Sequence, residues 1–173
     1  MKRWLLIIPV VFLATGILSE TRLPDRSPGT VRMKVMKVRV DPLEGESMVI
    51  LEDMDQRKVI PIWIGANEAR AIYLEINGVV PPRPMTHDLI ENILKSLHVR
   101  LHHVLIHDVR QNIIYARLIL KLEGREVSVD SRPSDAIALA VRVKAPILVT
   151  DEVYRNLSIN LKPGSRKDSD LSV

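Results

Sequence analysis

Alternating apolar and polar residues predict the first β-strands of this chain. Val31 to Val40 alternates valine or methionine with arginine or lysine, and the alternation slips at Met36-Lys37, as it does at a β-bulge. Met48 to Glu52 and Val59 to Ile64 flank the Asp-Met-Asp-Gln sequence of residues 53–56, which predicts a hairpin. The three segments together predict an antiparallel unit at the start of the domain.

Apolar residues at helical spacing predict three main helices, and a fourth short helix closes the domain. Three strands separate the second helix from the third, and a buried strand precedes the last helix. This interleaving predicts a single compact α+β domain with a mixed or antiparallel sheet and three to four helices. The predicted helices cover about 68–76, 87–97, 133–143 and 151–156, and the further strands cover 100–108, 113–122, 125–130 and 147–149.

Both ends of the chain differ in composition from the middle. Met1-Lys2-Arg3 precedes an apolar run from Trp4 to Leu18, which predicts a signal peptide in residues 1–19, with an uncleaved short membrane anchor as the alternative. Residues 20–30 are polar and proline-rich like a linker, and residues 161–173 have too little apolar content to be expected to order. We therefore expect residues 31–160 to form a domain outside the cytoplasm, either periplasmic or extracellular, or tethered to the membrane and facing outward.

Composition excludes several classes of site. The chain has no cysteine, which removes thiol catalysis, disulfides and cysteine-ligated zinc. The Walker loop, the dinucleotide glycine fingerprint and His-Glu-x-x-His are also absent from the sequence. A net charge of +4 favours phosphate-bearing ligands only mildly, and an aromatic content of 3% argues against a base-stacking platform.

Two helix starts share one design. Arg132 precedes Pro133 at the third predicted helix, and Arg83 precedes Pro84 just before the second. Proline suits the first helical position because its missing N–H would have no partner there, and the remaining free N–H groups attract anions. Each arginine acts in the same direction as the helix dipole, which predicts anion recognition at these two places.

The segment after Arg83 offers a candidate base. His87 is followed by Asp88, and histidine is the side chain most easily poised near neutral pH for proton transfer. A structural interpretation is equally consistent, because Thr86 is a natural helix cap and the dipole alone favours Asp88 in the first turn. Glu68, close to a strand-to-helix junction, has the same two interpretations.

The segment around Arg132 also has two interpretations. In the catalytic one, Arg132 holds a phosphate while Asp130 and Asp135 hold a divalent ion or a water. In the structural one, Ser134 and Asp135 satisfy free N–H groups and Arg132 pairs with a carboxylate such as Asp88 or Glu68. Ser134 is not expected to be a nucleophile, because no nucleophile elbow surrounds it.

Four further histidines lie on or near a predicted strand. His98 and His102, and likewise His103 and His107, are spaced i, i+4, which brings metal ligands together only on a helix. On a strand, alternation places His102 on one face and His103 with His107 on the other. We therefore expect solvated strand surface or a subunit contact here, not a zinc site.

Three of these segments resemble the bifunctional nuclease family of bacteria and plants. They are Pro61 to Ile72, Arg83 to Asp88 with its Thr-His-Asp triplet, and the run from Arg132 to Ala140, and the resemblance extends over roughly Val31 to Leu157. It implies hydrolysis of phosphodiester bonds in DNA and RNA. The site that it implies has Arg83, Arg132 and Ser134 binding substrate and Glu68, His87, Asp88, Asp130 and Asp135 acting in catalysis, with a divalent cation such as magnesium as the candidate cofactor.

A non-catalytic alternative uses the same residues. An oligomeric anion-binding, nucleic-acid-binding or scaffold domain would pair and bury these charges with one another, whereas an enzyme would hold them in an open cluster. Plant members of the family are intracellular, unlike a chain with an export signal, which bears on the substrate available here. A homo-oligomer is expected in either case, because several strands have exposed edges.

Overall fold

The computed structural model describes residues 26–27, 29–40 and 47–161, which form four helices and nine strands. The α+β class is as predicted. The helices are α1 (Ala66–Ile76), α2 (Thr86–Ser96), α3 (Pro133–Val143) and α4 (Asp151–Leu157). The strands are β1 (Arg26–Ser27), β2 (Thr30–Arg39), β3 (Ser47–Asp53), β4 (Lys58–Ile64), β5 (Arg100–Arg110), β6 (Ile113–Leu122), β7 (Arg125–Ser131), β8 (Ile147–Thr150) and β9 (Ile159–Asn160).

All described strands join one mixed sheet in the order β7-β6-β5-β8-β2-β3-β4-β9, with β1 paired to β2 beside this path. Only β5 and β8 run parallel; every other described pair is antiparallel. The pairing of β2 with β3 shifts register between Val35 and Lys37, which confirms the predicted bulge. The predicted hairpin of β3 and β4 is also confirmed.

Helix α3 is the most deeply buried helix of the described residues. Its middle consists of alanine, isoleucine and leucine, and every residue from Ala136 to Ala140 is buried. Small side chains let backbones approach closely, and α1 contributes the buried Ala69 and Ala71 to the same layer. Beneath it, Val104 and Ile106 on β5 form the sheet side of the core.

The sheet curls around α3. Strands β4 and β7 are six positions apart in sheet order, which is about 29 Å in a flat sheet at ~4.8 Å per strand. Nevertheless Glu68, four residues after β4, bonds Arg132, the residue after β7, at 2.8 Å. Curvature therefore brings the end of β4 and the end of β7 to the same rim of the molecule.

One expectation for the histidines is wrong. His102 and His103 do not separate to opposite faces of β5, because their Nδ1 atoms lie 2.8 Å apart. The register of β5 with β6 shifts between Leu101 and His103, and the extra residue of this bulge turns both rings to the same side.

Two short strands lie near the ends of the described residues. Strand β1 forms inside the predicted linker and β9 closes the domain beside β4; neither was predicted, because two residues cannot show an alternation. The predicted signal peptide or anchor (1–19), the turn at 41–45 and the tail from 162 onward lie outside the described residues. In the ranges that the structure covers, no helix is both long and apolar enough to cross a membrane.

Candidate functional site

Three helix starts lie together at the rim where the ends of β4 and β7 come close. Helix α1 begins two residues after β4, α3 begins two residues after β7, and α2 follows the loop that carries Arg83. Arg132 is the N-cap of α3 in extended conformation and Pro133 takes the first helical position, as predicted. The residue types that suit a helix start therefore deliver the charged side chains to one place.

Arg132 is held by two carboxylates. Its Nε donates to Asp135 Oδ2 at 2.7 Å, and its Nη2 donates to Asp135 Oδ1 at 3.0 Å and to Glu68 Oε1 at 2.8 Å. These bonds raise the pKa of Arg132, so the guanidinium stays charged at any working pH. The side chain is nevertheless 66% exposed, and its Nη1 has no partner among the described residues. The cluster is thus internally paired but still presents free donors to solvent.

Glu68 is placed by the glycine before its helix. Gly65 is the N-cap of α1, and a Cβ there would collide with Glu68 Oε2. The missing side chain leaves room for the carboxylate to fold back over the helix start and reach Arg132. Gly65 is not among the site residues predicted from the sequence, which places Glu68 close to a strand-to-helix junction.

His87 joins the same cluster from α2. Its Nε2 lies 3.0 Å from Asp135 Oδ1, and its side chain is 7% exposed. Burial alone would raise the pKa of Asp135, but the hydrogen bonds from Arg132 and His87 outweigh it and lower that pKa. Because the ionised Asp135 can only accept, Nε2 of His87 donates in this bond, and a neutral ring would then have Nδ1 as its acceptor.

Of the two carboxylates predicted as alternative partners for Arg132, Glu68 is its partner and Asp88 bonds Arg142. Its Oδ1 accepts from Nε of Arg142 at 2.7 Å, and its Oδ2 accepts from the N–H of Met85 at 2.7 Å. Burial would raise the pKa of Asp88, but the bonds from Arg142 and Met85 lower it. Met85, not Thr86, is the N-cap of α2. Asp88 therefore anchors the helix start, and Arg132 pairs with Glu68 but not with Asp88.

Arg142 is the functional candidate that sequence reasoning missed. Its side chain is 3% exposed, and it bonds Asp88, the carbonyl of Ala138 at 3.0 Å and the carbonyl of Ala71 at 3.3 Å. A basic residue in the last turn of a helix is favoured by the dipole and attracts no notice. The available signal was its spacing, because Asp135 and Arg142 are seven residues, or two turns, apart on one face.

Comparison with known proteins identifies the domain. A family model for the bifunctional nuclease domain matches residues 49–162, and an uncharacterized protein of Mycobacterium tuberculosis is 36% identical over 141 residues, covering 82% of this chain and 84% of that protein. The chain belongs to the bifunctional nuclease domain family. Two plant proteins, Bifunctional nuclease 1 of Oryza sativa subsp. japonica and Bifunctional nuclease of Oryza minuta, are each 23% identical over 142 residues, covering 80% of this chain. The matched stretch is 43% of each Oryza protein, so this bifunctional nuclease domain spans less than half of their length.

The bifunctional nuclease domain leaves three predicted site residues outside the bonded cluster. Arg83 is exposed just before α2 and has no bonded partner within the described ranges. Asp130 is exposed on β7 opposite Arg117 of β6, and its side chain makes no bond to the cluster. Ser134 is buried in the first turn of α3. The structure therefore brings Glu68, His87, Arg132 and Asp135 together, with Asp88 one residue away.

The predicted cation has no ready-made site in the part of the chain that the structure describes. No three His, Cys, Asp or Glu side chains come together there in a way that holds a metal ion. Oxygens of both Glu68 and Asp135 are bonded to Arg132 instead. A divalent cation would have to compete with the guanidinium, so no chemical step is assigned to one.

Proposed function

We propose that this bifunctional nuclease domain hydrolyses phosphodiester bonds in DNA, RNA or both. The observation that carries the proposal is Arg132, a 66% exposed guanidinium fixed by two carboxylates with Nη1 left free. A planar, permanently charged group held in one orientation is suited to a phosphate. The names of the Oryza relatives support the same class of substrate.

In the proposed reaction, Arg132 Nη1 binds a phosphate oxygen and stabilises the charge that develops on it. His87 takes a proton from a water through Nδ1, while Asp135 holds the opposite nitrogen and fixes the ring. The water oxygen bonds to phosphorus, the P–O bond to the leaving sugar oxygen breaks, and that oxygen takes up a proton from solvent, to which His87 then releases the proton that it took. Arg83, exposed four residues before His87, supplies a second positive charge for the nucleic-acid backbone.

A non-catalytic function has one observation in its favour. The alternative predicted that the charges would be mutually paired, and Arg132 does pair with Glu68 and Asp135. It also predicted burial, and here the exposed Arg132 favours the enzyme. An anion-binding domain would keep phosphate affinity at Arg132 without cleaving anything.

The test is cleavage of single- and double-stranded DNA and RNA by the full chain, with magnesium, manganese or a chelator. His87→Ala and Arg132→Ala are compared with two matched controls, His98→Ala and Arg155→Ala, which change exposed residues outside the cluster. The proposal expects cleavage that only the two site variants lose. Cleavage equal in all variants would indicate a contaminant, and binding without cleavage would support the non-catalytic alternative.

Two further proposals concern context. We propose export or outward-facing membrane tethering from the basic start and apolar run of residues 1–19.

We also propose a homo-oligomer, because Leu89, Ile93 and Leu97 form an exposed apolar stripe on α2 and the end of that helix, flanked by the uncharged Asn92 and Ser96. Two copies could pack these stripes antiparallel without opposing like charges. Light scattering of Ile93→Glu against the unchanged chain tests the second proposal, which a monomeric unchanged chain would contradict.

A further inference from the structure

One buried guanidinium connects all three helices of the site. Arg142 on α3 bonds Asp88 on α2 through Nε at 2.7 Å, and it bonds the Ala71 carbonyl of α1 through Nη2 at 3.3 Å. Its Nη1 donates to the Ala138 carbonyl of α3 itself at 3.0 Å. We propose that Arg142 is a positioning residue for the site, acting on His87 through Asp88 and on Glu68 through α1.

The link to His87 follows from adjacency. His87 and Asp88 are consecutive, and they bond two residues of α3, Asp135 and Arg142, which lie seven residues apart, or about 10.5 Å along the helix. Two attachment points this far apart fix both the position and the rotation of the start of α2. With the Asp88 bond removed, Ile90 and Leu94 still pack α2 against the core, but the start of the helix can shift, which weakens the bond of His87 to Asp135 and loosens the ring.

The link to Glu68 runs through the backbone of α1. Ala71 is three residues after Glu68, so the carbonyl bonded by Arg142 lies within one turn of that side chain. Glu68 in turn bonds Arg132. The buried Arg142 therefore sets the spacing between the helix that carries Glu68 and the helix that begins at Arg132.

Burial separates this role from a favourable surface contact. At 3% exposure the guanidinium has given up its water, and each of its three nitrogens donates to a protein oxygen. An apolar side chain would fill a buried position at lower desolvation cost, whereas arginine bonds three helices in fixed directions. The buried arginine therefore costs desolvation energy but aligns the helix starts.

The experiment has two arms, because the inference rests on the proposed function. Nitrogen NMR of the His87 ring in the full chain shows which ring nitrogen carries the proton, without any turnover. The pH profile of cleavage then reads the same group during the reaction. Variants are Arg142→Met, Arg142→Lys and Asp88→Asn, with Val153→Ala as a control that loses buried volume on α4, away from the site.

Positioning predicts that a folded Arg142→Met chain loses the single Nε2–H form of His87 and about 100-fold in kcat/KM with a displaced pH profile. Arg142→Lys restores part of both, and Val153→Ala changes neither, even where its melting temperature falls equally. If Arg142→Met does not fold, Asp88→Asn and Arg142→Lys decide. An unchanged His87 ring in a folded variant overturns the inference; absence of cleavage by the unchanged chain defeats only the proposed function.

Discussion

The two ends of α3 carry the same side chain in opposite surroundings. Arg132 at the start is 66% exposed, bonded to two carboxylates, and keeps Nη1 free. Arg142 in the last turn is 3% exposed, bonded to one carboxylate and two carbonyls, and has no nitrogen without a partner. The first can accept a ligand and the second cannot.

This difference teaches which charges to associate with chemistry. An exposed arginine contributes little to folding, because water screens its pairs and replaces them easily. A buried arginine whose partner is removed leaves an uncompensated charge, so its loss is felt by the whole fold. Substitutions at the start of α3 are therefore expected to affect cleavage. Substitutions in its last turn are expected to affect the stability of the fold and the alignment of the helix starts.

The largest expected effect is on the unfolding free energy. Arg142→Met leaves Asp88 and two carbonyls without their donor, which costs about 3–5 kcal/mol. Arg132→Met changes the unfolding free energy by less than about 1 kcal/mol, because the guanidinium that it removes is exposed and already hydrated in the folded state. Urea denaturation of both variants measures the two values. Equal losses would remove the distinction between the two ends.

The next largest effect is on cleavage, where the exposed Arg132 is expected to matter more than it does for stability. Arg132→Gln removes the free donors of Nη1 and is expected to lower kcat about 100- to 1,000-fold, the usual cost of one donor to developing charge. Arg155→Gln, an exposed arginine on α4, serves as the control and should cleave normally. Activity retained by Arg132→Gln would mean that this arginine does not touch the phosphate.

The sequence predicts the elements of this site better than its bonds. Arg132-Pro133 predicts where α3 begins, since proline geometry is local, whereas Pro84 lies before the N-cap of α2 and outside that helix. The partner of Arg132 was narrowed only to Asp88 or Glu68, because the Glu68 bond depends on how far the sheet curls over six strand positions. Curvature is a property of the packed whole, and no short window of sequence contains it.

Two other misses have local causes. Asp130 was grouped with Arg132 by adjacency, but it lies on β7 opposite Arg117 and makes no bond to the cluster within the described residues. His102 and His103 were separated by strand alternation, which a bulge at that point interrupts. For His102 and His103, sequence proximity and strand period give opposite predictions, and only the register of β5 with β6 decides between them.

A smaller effect is expected at the glycine that admits Glu68. Gly65→Ala places a Cβ against Glu68 Oε2, and the flexible carboxylate moves away, weakening one of the bonds that orient Arg132. Loss of about 1 kcal/mol of that orientation lowers kcat/KM roughly fivefold. Glu68→Gln should act through the same bond, so the double variant loses less than the product of the two. If the loss in the double variant equals the product of the two single losses, Gly65 does not act through the bond between Glu68 and Arg132.

The smallest expected effect is a difference between the two ends of α3 in how acid changes the unfolding free energy. Asp135 and Asp88 both have a pKa below the ordinary 3.8, because bonds from Arg132 and from Arg142 outweigh the opposing effect of burial. A lowered folded-state pKa gives stability that is present above 3.8 and is lost as the pH falls through the folded value. Protonating Asp88 leaves the buried Arg142 without its carboxylate, whereas protonating Asp135 leaves Arg132 in water with Glu68. The unfolding free energy, measured between pH 5 and pH 2, should therefore depend on pH less in Asp88→Asn than in Asp135→Asn. The opposite order would mean that Arg132, not Arg142, is the charge on which the fold depends.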